Sequence, residues 1–238
     1  MDQNSHLLLL PGMLCDGAFW CAQIDALADI CATSVASYGL SDSIDAMAQI
    51  VLADAPETFA LAGHSMGGRV ALEVYKRAPQ RVLKLGLFCT DYRGHVSDEA
   101  RKEELSSRGN MLALARARDM ESVAREWVAR VVSPDRLKDK KLVSAVMAMA
   151  ARHSPAVLEA QIHAGLTRPD FSGVLPTITC PTLICAGEED TMRPLEIHQD
   201  MAARLSTSRL AVIERSGHMV AMEQPRAVSE AMRNWLLS

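Results

Sequence analysis

Gly63-His64-Ser65-Met66-Gly67-Gly68 is the stretch from which the fold of this 238-residue chain is read. Ser65 stands between two residues that lack a Cβ atom, Gly63 and Gly67, so the backbone can turn tightly there without its walls colliding. The flanks give the turn a direction. Residues 58–62 form a short apolar run that reads as a strand, and residues 69–78 carry Val70, Val74 and Ala78 four apart, the spacing of a helix. Such a strand, turn and helix leave the Ser65 hydroxyl free at the carboxyl edge of a sheet. The amide of Met66, at the helix N-terminus, then faces any oxyanion formed beside the serine. Gly-x-Ser-x-Gly alone is a weak signal, arising by chance in roughly one chain in ten to fifteen of this length, so the rest of the chain decides its worth.

Upstream, residues 6–10 read as a buried parallel strand ending in the turn Pro11-Gly12-Met13-Leu14. A helix capped by Asp16 follows, with Trp20, Ile24 and Leu27 on one face; that spacing makes Trp20 a core residue. Residues 35–41 are weakly strand-like, and Ser41 or Asp42 caps a helix carrying Ile44, Met47, Val51 and Leu52. Downstream, residues 82–90 form a strand with Asp91 at its end. From 92 to 176 no comparable strand occurs, and helical periodicities succeed one another over residues 99–107, 111–118, 122–132, 140–152 and 155–166, the last with a Ser154 cap and Pro155 at its first position. The sheet resumes at 182–186, followed by a helix at 194–205, a strand at 210–213 and a closing helix that Pro225 begins and Trp235 and Leu236 anchor. Strands alternating with helices specify an α/β fold with a doubly wound, mostly parallel sheet. Residues 1–91 and 177–238 are expected to form its core, and residues 92–176 an inserted helical lid.

A serine hydroxyl is a poor nucleophile at neutral pH and needs an imidazole to take its proton. His218, in Ser216-Gly217-His218-Met219, follows the last strand on a glycine-containing turn and is the candidate base. The imidazole needs a carboxylate to hold its tautomer. Asp190, in Gly187-Glu188-Glu189-Asp190, is the candidate, with Glu188, Glu189 and Asp91 as rivals. Ser65, Asp190 and His218 all follow the carboxyl end of a predicted strand, the edge at which such sheets gather their active residues. Two backbone donors would hold the oxyanion, Met66 N–H and, from the loop where Gly12 permits close approach, Met13 N–H, with Leu14 as the fallback. His64 is expected to pack or hydrogen-bond within the elbow, and His95, His153, His163 and His198 to be surface or lid residues.

These motifs resemble the α/β-hydrolase superfamily, in its compact esterase-like form. The resemblance is carried by Leu10-Pro11-Gly12-Met13, by Gly63 to Gly68, by the segment from Gly187 to Pro194, and by Ser216-Gly217-His218 with Glu223-Gln224-Pro225. The order Ser65, Asp190, His218 is the family's order. The chain departs from the family in having only five residues before His6, where many members carry two antiparallel strands, and in having Pro11 where a histidine is usual. The resemblance implies acyl transfer to Ser65 and hydrolysis of the acyl-enzyme by water that His218 activates. The expected substrate is a small-molecule carboxylic ester; thioesters, lactones and carbon-carbon bonds are alternatives for the same triad, as is a ligand-binding receptor that keeps the fold.

Composition narrows the partners. A formal charge of -4 and a pI near 6.0, with no local cluster of Lys and Arg, give no footprint for nucleic acid. Residues 1–5 carry no positive charge and the apolar run 7–10 stops at Pro11, so a cytoplasmic monomer or homodimer without membrane attachment is expected. The six cysteines form no C-x-x-C pair and are expected to be buried or partly buried thiols. No metal ligand cluster or dinucleotide loop appears, so no cofactor is expected. Met111, Leu114, Met120, Trp127, Val131, Met147 and Met149 either line an apolar acyl pocket or form the lid's own core, and their helical spacing favours the core.

Overall fold

The computed structural model describes residues 6–95 and 97–238. The expectation that no leader precedes the first strand rests on residues 1–5 and lies outside them. Six strands, β1 (His6–Leu10), β2 (Ala32–Val35), β3 (Phe59–His64), β4 (Val82–Phe88), β5 (Thr182–Gly187) and β6 (Ser208–Ile213), form one sheet in the order β2-β1-β3-β4-β5-β6. Every pairing is parallel. Chain order reverses between β1 and β3, so their carboxyl ends open the crevice in which a doubly wound sheet places its site. The Met13 turn leaves one of these strands and Ser65 the other.

The central strands are apolar on both faces because helices cover both. Leu7 and Leu9 of β1 pack to one side with Ala60 and Ala62 of β3 and Leu183 and Cys185 of β5. Leu8 and Leu10 pack to the other with Phe59 and Leu61 of β3 and Leu85 and Leu87 of β4. On the first side lie α1 (Gly17–Leu27), the short α9 (Val220–Glu223) and the closing α10 (Pro225–Leu237); on the second lie α2 (Ile44–Asp54), α3 (Met66–Arg77) and α8 (Leu195–Ala203). Trp20 is fully buried in α1, with Phe19 and Phe88 edge-on to its ring.

Between β4 and β5 the chain forms four helices, α4 (Asp98–Ala117), α5 (Met120–Val131), α6 (Lys140–Ala151) and α7 (Pro155–Leu166). Side-chain oxygens of Ser97, Asp119, Asp139 and Ser154 accept backbone N–H groups at their N-termini. The sequence divides α4 in two at Gly109-Asn110, both poor helix formers, but the helix runs through them. The second strand is also displaced from its expected place. It occupies Ala32–Val35 instead of residues 35–41, because an edge strand with alternately exposed residues leaves no continuous apolar run to read. Ser43, not Ser41 or Asp42, caps α2.

Backbone meets backbone where α3 starts. A Cβ added to Gly67 would stand 2.2 Å from the Leu10 carbonyl oxygen, and one on Gly63 would stand 2.2 Å from that of Gly67. Backbone cannot yield as a flexible side chain does. Gly67→Ala is therefore expected to lower stability by roughly 1–3 kcal/mol or more, read from urea denaturation. Gly109→Ala, inside exposed α4 with nothing within 4 Å of the added carbon, is expected to raise it by about 0.4–1 kcal/mol.

Candidate active site

Ser65 is held in a conformation that few residues adopt, with φ 52° and ψ −112°. Such backbone costs on the order of 1–3 kcal/mol and persists only where its surroundings impose it. Here β4 does so: Ser65 N–H donates to Phe88 O at 2.9 Å, and the Thr90 hydroxyl donates to Ser65 O at 2.6 Å. The strained turn presents the Ser65 hydroxyl to His218, donating to Nε2 at 2.9 Å. Nδ1–H of His218 donates in turn to Asp190 Oδ2 at 2.7 Å. The other carboxylate oxygen of Asp190 accepts N–H groups from Met192 at 2.8 Å and Arg193 at 3.0 Å. Burial works against the Asp190 charge, but His218 and these two amides outweigh it and hold the carboxyl below its ordinary value. The structure thus brings Ser65, His218 and Asp190 into one hydrogen-bonded chain.

The rival carboxylates are engaged elsewhere. Asp91 accepts from the Arg93 backbone and side chain at 2.9 and 3.0 Å and faces Arg69 at 3.8 Å. Glu188 accepts from Arg215 N–H, and Glu189 from the Ser133 hydroxyl. At the oxyanion side, Leu14 N–H already donates to Gln161 Oε1 at 2.9 Å. That bond removes the fallback donor and pins the loop. Met13 N–H and Met66 N–H donate to no acceptor among the described residues, and both residues line the same small cavity as Ser65.

The turn carrying His218 is held by groups the sequence did not single out. Val131 O, at the end of α5, accepts N–H from His218 at 2.9 Å and Met219 at 3.1 Å. Glu223, which entered only as part of a motif, is buried and accepts N–H from Ser133, Gly217 and Met219 at 2.9, 3.0 and 3.1 Å. His64 is stacked on Phe19 with ring centroids 4.0 Å apart, and its Nε2–H donates to His218 O at 3.0 Å. Burial, reinforced by His218, holds it well below the usual imidazole range, so it stays neutral. His198 is a correction: it is fully buried instead of lying on the surface or lid, because its Nε2 accepts the Thr90 N–H that ends β4.

A cavity of about 50 Å³ surrounds Ser65, Met13 and Met66, and one of about 480 Å³ opens beside His218. Of the residues considered for an apolar pocket, Trp127 borders both cavities and Val131 the larger. Met111 and Leu114 line a separate groove, whereas Met120 and Met149 are buried in the core. Four arginines missed in the sequence line the cavity at Ser65: Arg69, Arg108, Arg168 and Arg193. Two of them ride on the motifs themselves, Arg69 four residues after Ser65 and Arg193 three after Asp190, and that proximity was the available signal.

Cys89 lies with Asp190 and His218 so that their donor atoms fall within 4.8 Å of one another. The set is poor for a metal, since Asp190 and His218 bind each other and burial pushes the Cys89 thiol well up, keeping it protonated. Of the six free cysteines, Cys21 is exposed, unlike the buried or partly buried thiols expected throughout.

With this geometry in place, comparison with known proteins is informative. A family model described as "Alpha/beta hydrolase family" matches residues 7–231. A pimeloyl-[acyl-carrier protein] methyl ester esterase of Vibrio parahaemolyticus is 27% identical, covering 93% of this chain and 90% of that protein. A putative carbamate hydrolase, RutD, of Serratia proteamaculans is 24% identical over 97% of this chain and 90% of its own length. Among solved structures, a thermophilic esterase from Thermogutta terrifontis superposes with a TM-score of 0.85 at 27% identity, covering 99% of this chain and 90% of that one. No described helix is long and apolar enough to cross a membrane.

The depressed Asp190 carboxyl makes a stability prediction. Its ionised form stabilises the fold above the ordinary value of 3.8, and that contribution is lost as pH falls through the lower folded value. Asp190→Asn has no such titration. Between about pH 5 and about pH 2.5 the urea midpoint of the wild type is expected to fall more steeply than that of Asp190→Asn. Parallel declines would mean that the partners of Asp190 do not hold its charge.

Proposed function

The chain belongs to the alpha/beta hydrolase family, and from that premise we propose that it is a serine hydrolase that cleaves a small to medium carboxylic ester through an acyl-enzyme on Ser65. The observation that carries this reading is the unbroken hydrogen-bonded chain from the Ser65 hydroxyl through His218 to Asp190. His218 Nε2 takes the hydroxyl proton as Ser65 Oγ attacks the ester carbonyl, and Asp190 keeps the proton on Nδ1 and steadies the imidazolium. The carbonyl oxygen gains negative charge within reach of Met13 N–H and Met66 N–H, neither of which has an acceptor to abandon among the described residues. His218 returns its proton to the departing alkoxide, which leaves as the alcohol. Water then gives a proton to His218, attacks the acyl carbonyl, and Ser65 leaves with that proton restored.

In this reading residues 92–176 act as a lid, because α5 is tied to the base through Val131 O and the cavity beside His218 is walled by Trp127 and Val131. The relatives named for a methyl ester esterase and a carbamate hydrolase support hydrolysis at a carbonyl carbon with an oxygen or nitrogen leaving group. Stacked, neutral His64 supports the same assignment, since it closes the back of the His218 ring without competing for the serine proton.

The test is hydrolysis of p-nitrophenyl esters from acetate to decanoate, with labelling of the active serine by a fluorophosphonate and mapping of the adduct. The wild type should show a chain-length optimum and an adduct on Ser65, and Ser65→Ala should fall to the uncatalysed rate. Asp190→Asn should lose about 10⁴-fold in kcat. A Ser65→Ala variant that retains the wild-type rate would overturn the reading. An Asp91→Asn variant losing more than Asp190→Asn would move the orienting role to Asp91.

A further inference from the structure

The cavity at Ser65 carries more positive charge than its own acids balance. Arg69 comes from the first turn of α3, Arg108 from α4, Arg168 from just beyond α7 and Arg193 from the segment before α8, and Glu104 is the single carboxylate among the residues lining that cavity. Arg168 occupies Glu104 most closely, at 2.6 Å, leaving Arg108 at 3.9 Å from the other carboxylate oxygen. Arg69 is almost fully buried; it donates to Arg93 O at 2.7 Å and stands 3.8 Å from Asp91, a carboxylate that Arg93 already holds. Arg193 has no carboxylate within 4.0 Å among the described residues. The one hydrogen bond of its guanidinium among the described residues goes to the neighbouring Met192 O, and its buried Nε has no partner among them.

Electrostatics agree with this count. Burial, with Arg193 adding repulsion, pushes Arg69 down to about 9, still charged at neutral pH. Burial also lowers Arg108, and Arg193, Arg130 and Arg168 add to that. Four guanidinium groups around one cavity whose lining holds a single carboxylate repel one another unless a further anion joins them, and their planar forks suit an anion with two or three equivalent oxygens. The same four residues border the nucleophile and base, so the anion they receive belongs to the reacting molecule.

Resting on the hydrolase reading above, we infer that the substrate is an anionic ester, bearing a carboxylate or phosphate that Arg193 and Arg108 bind beside Ser65 while Arg69 and Arg168 complete the positive wall. This replaces the apolar acyl pocket with a charged one, and it selects substrates by charge before chain length.

Two matched pairs test the inference by pH-stat: monomethyl glutarate against methyl valerate, with the anion on the acyl side, and 4-acetoxybutanoate against butyl acetate, with it on the alcohol side. At least one anionic ester is expected to exceed its neutral partner by tenfold or more in kcat/KM. Arg193→Met and Arg108→Met should each bring that ratio down by roughly 10- to 100-fold, mainly through KM. Calorimetric binding of glutarate and of inorganic phosphate to Ser65→Ala reads the anion site without turnover. Tighter binding of one than the other separates a carboxylate site from a phosphate site, and Arg193→Met placed in the Ser65→Ala background should weaken it tenfold or more. Equal kcat/KM within both pairs, with neither anion bound, overturns the inference and leaves the esterase reading standing. Arginine-dependent anion binding with no hydrolysis of any ester keeps the anion site and overturns the esterase reading.

Discussion

The close approach of the α3 N-terminus to the end of β1 is the constraint on which the site depends. Gly67 lies so near the Leu10 and Pro11 carbonyls that no side chain fits between them, and Gly63 meets Gly67 in the same way. This contact has two consequences. It confines Ser65 to a tight turn, whose rare backbone conformation the bonds to Phe88 O and the Thr90 hydroxyl hold. It also brings the loop after β1 against the start of α3, so that Met13 and Met66 border one small cavity although they are 53 positions apart in the chain. Ser65 and both candidate oxyanion donors therefore meet around one piece of backbone packing.

His218, the proposed base, is set differently, from two sides of the sequence at once. Its turn follows β6, but its backbone N–H is satisfied by Val131 of the inserted helices. Glu223 then ties the turn to itself and to Ser133, which begins the loop after α5. A Cβ on Gly217 would come within 2.8 Å of Ser133 N, so the two loops touch along their backbones. Burial raises the Glu223 carboxyl, while three amide donors work in the opposite direction. A movement of α5 must therefore either carry His218 with it or break these hydrogen bonds.

The fold was legible because its central strands are short apolar runs separated by capped helices. The position of Ser65, Asp190 and His218 was legible because each follows such a strand. The edge strand β2 was not, since Ala32-Thr33-Ser34-Val35 faces solvent on alternate residues and carries little hydrophobic signal. Nor was the length of α4, where tertiary contacts override the poor propensity of Gly109 and Asn110. Glu104 lies among the mixed charges of Arg101, Lys102 and Glu103, and only the folded chain turns it inward to Arg168. The arginine wall assembles from four segments up to 124 positions apart, and no local pattern records a meeting of that kind.

The charge imbalance also explains why those arginines stand where they do. Arg69 is anchored by Arg93 O and Asp91, and Arg168 by Gly165 O and Glu104, so each is fixed by its own chain before any ligand arrives. Arg193 is fixed through its backbone instead, because its N–H is one of the two that hold Asp190. Asp190, the proposed orienting carboxylate, and the guanidinium with no acid of its own among the described residues thus share one turn of the chain. A ligand drawn to Arg193 arrives already beside His218, and positioning of the substrate and orientation of the base become a single structural event.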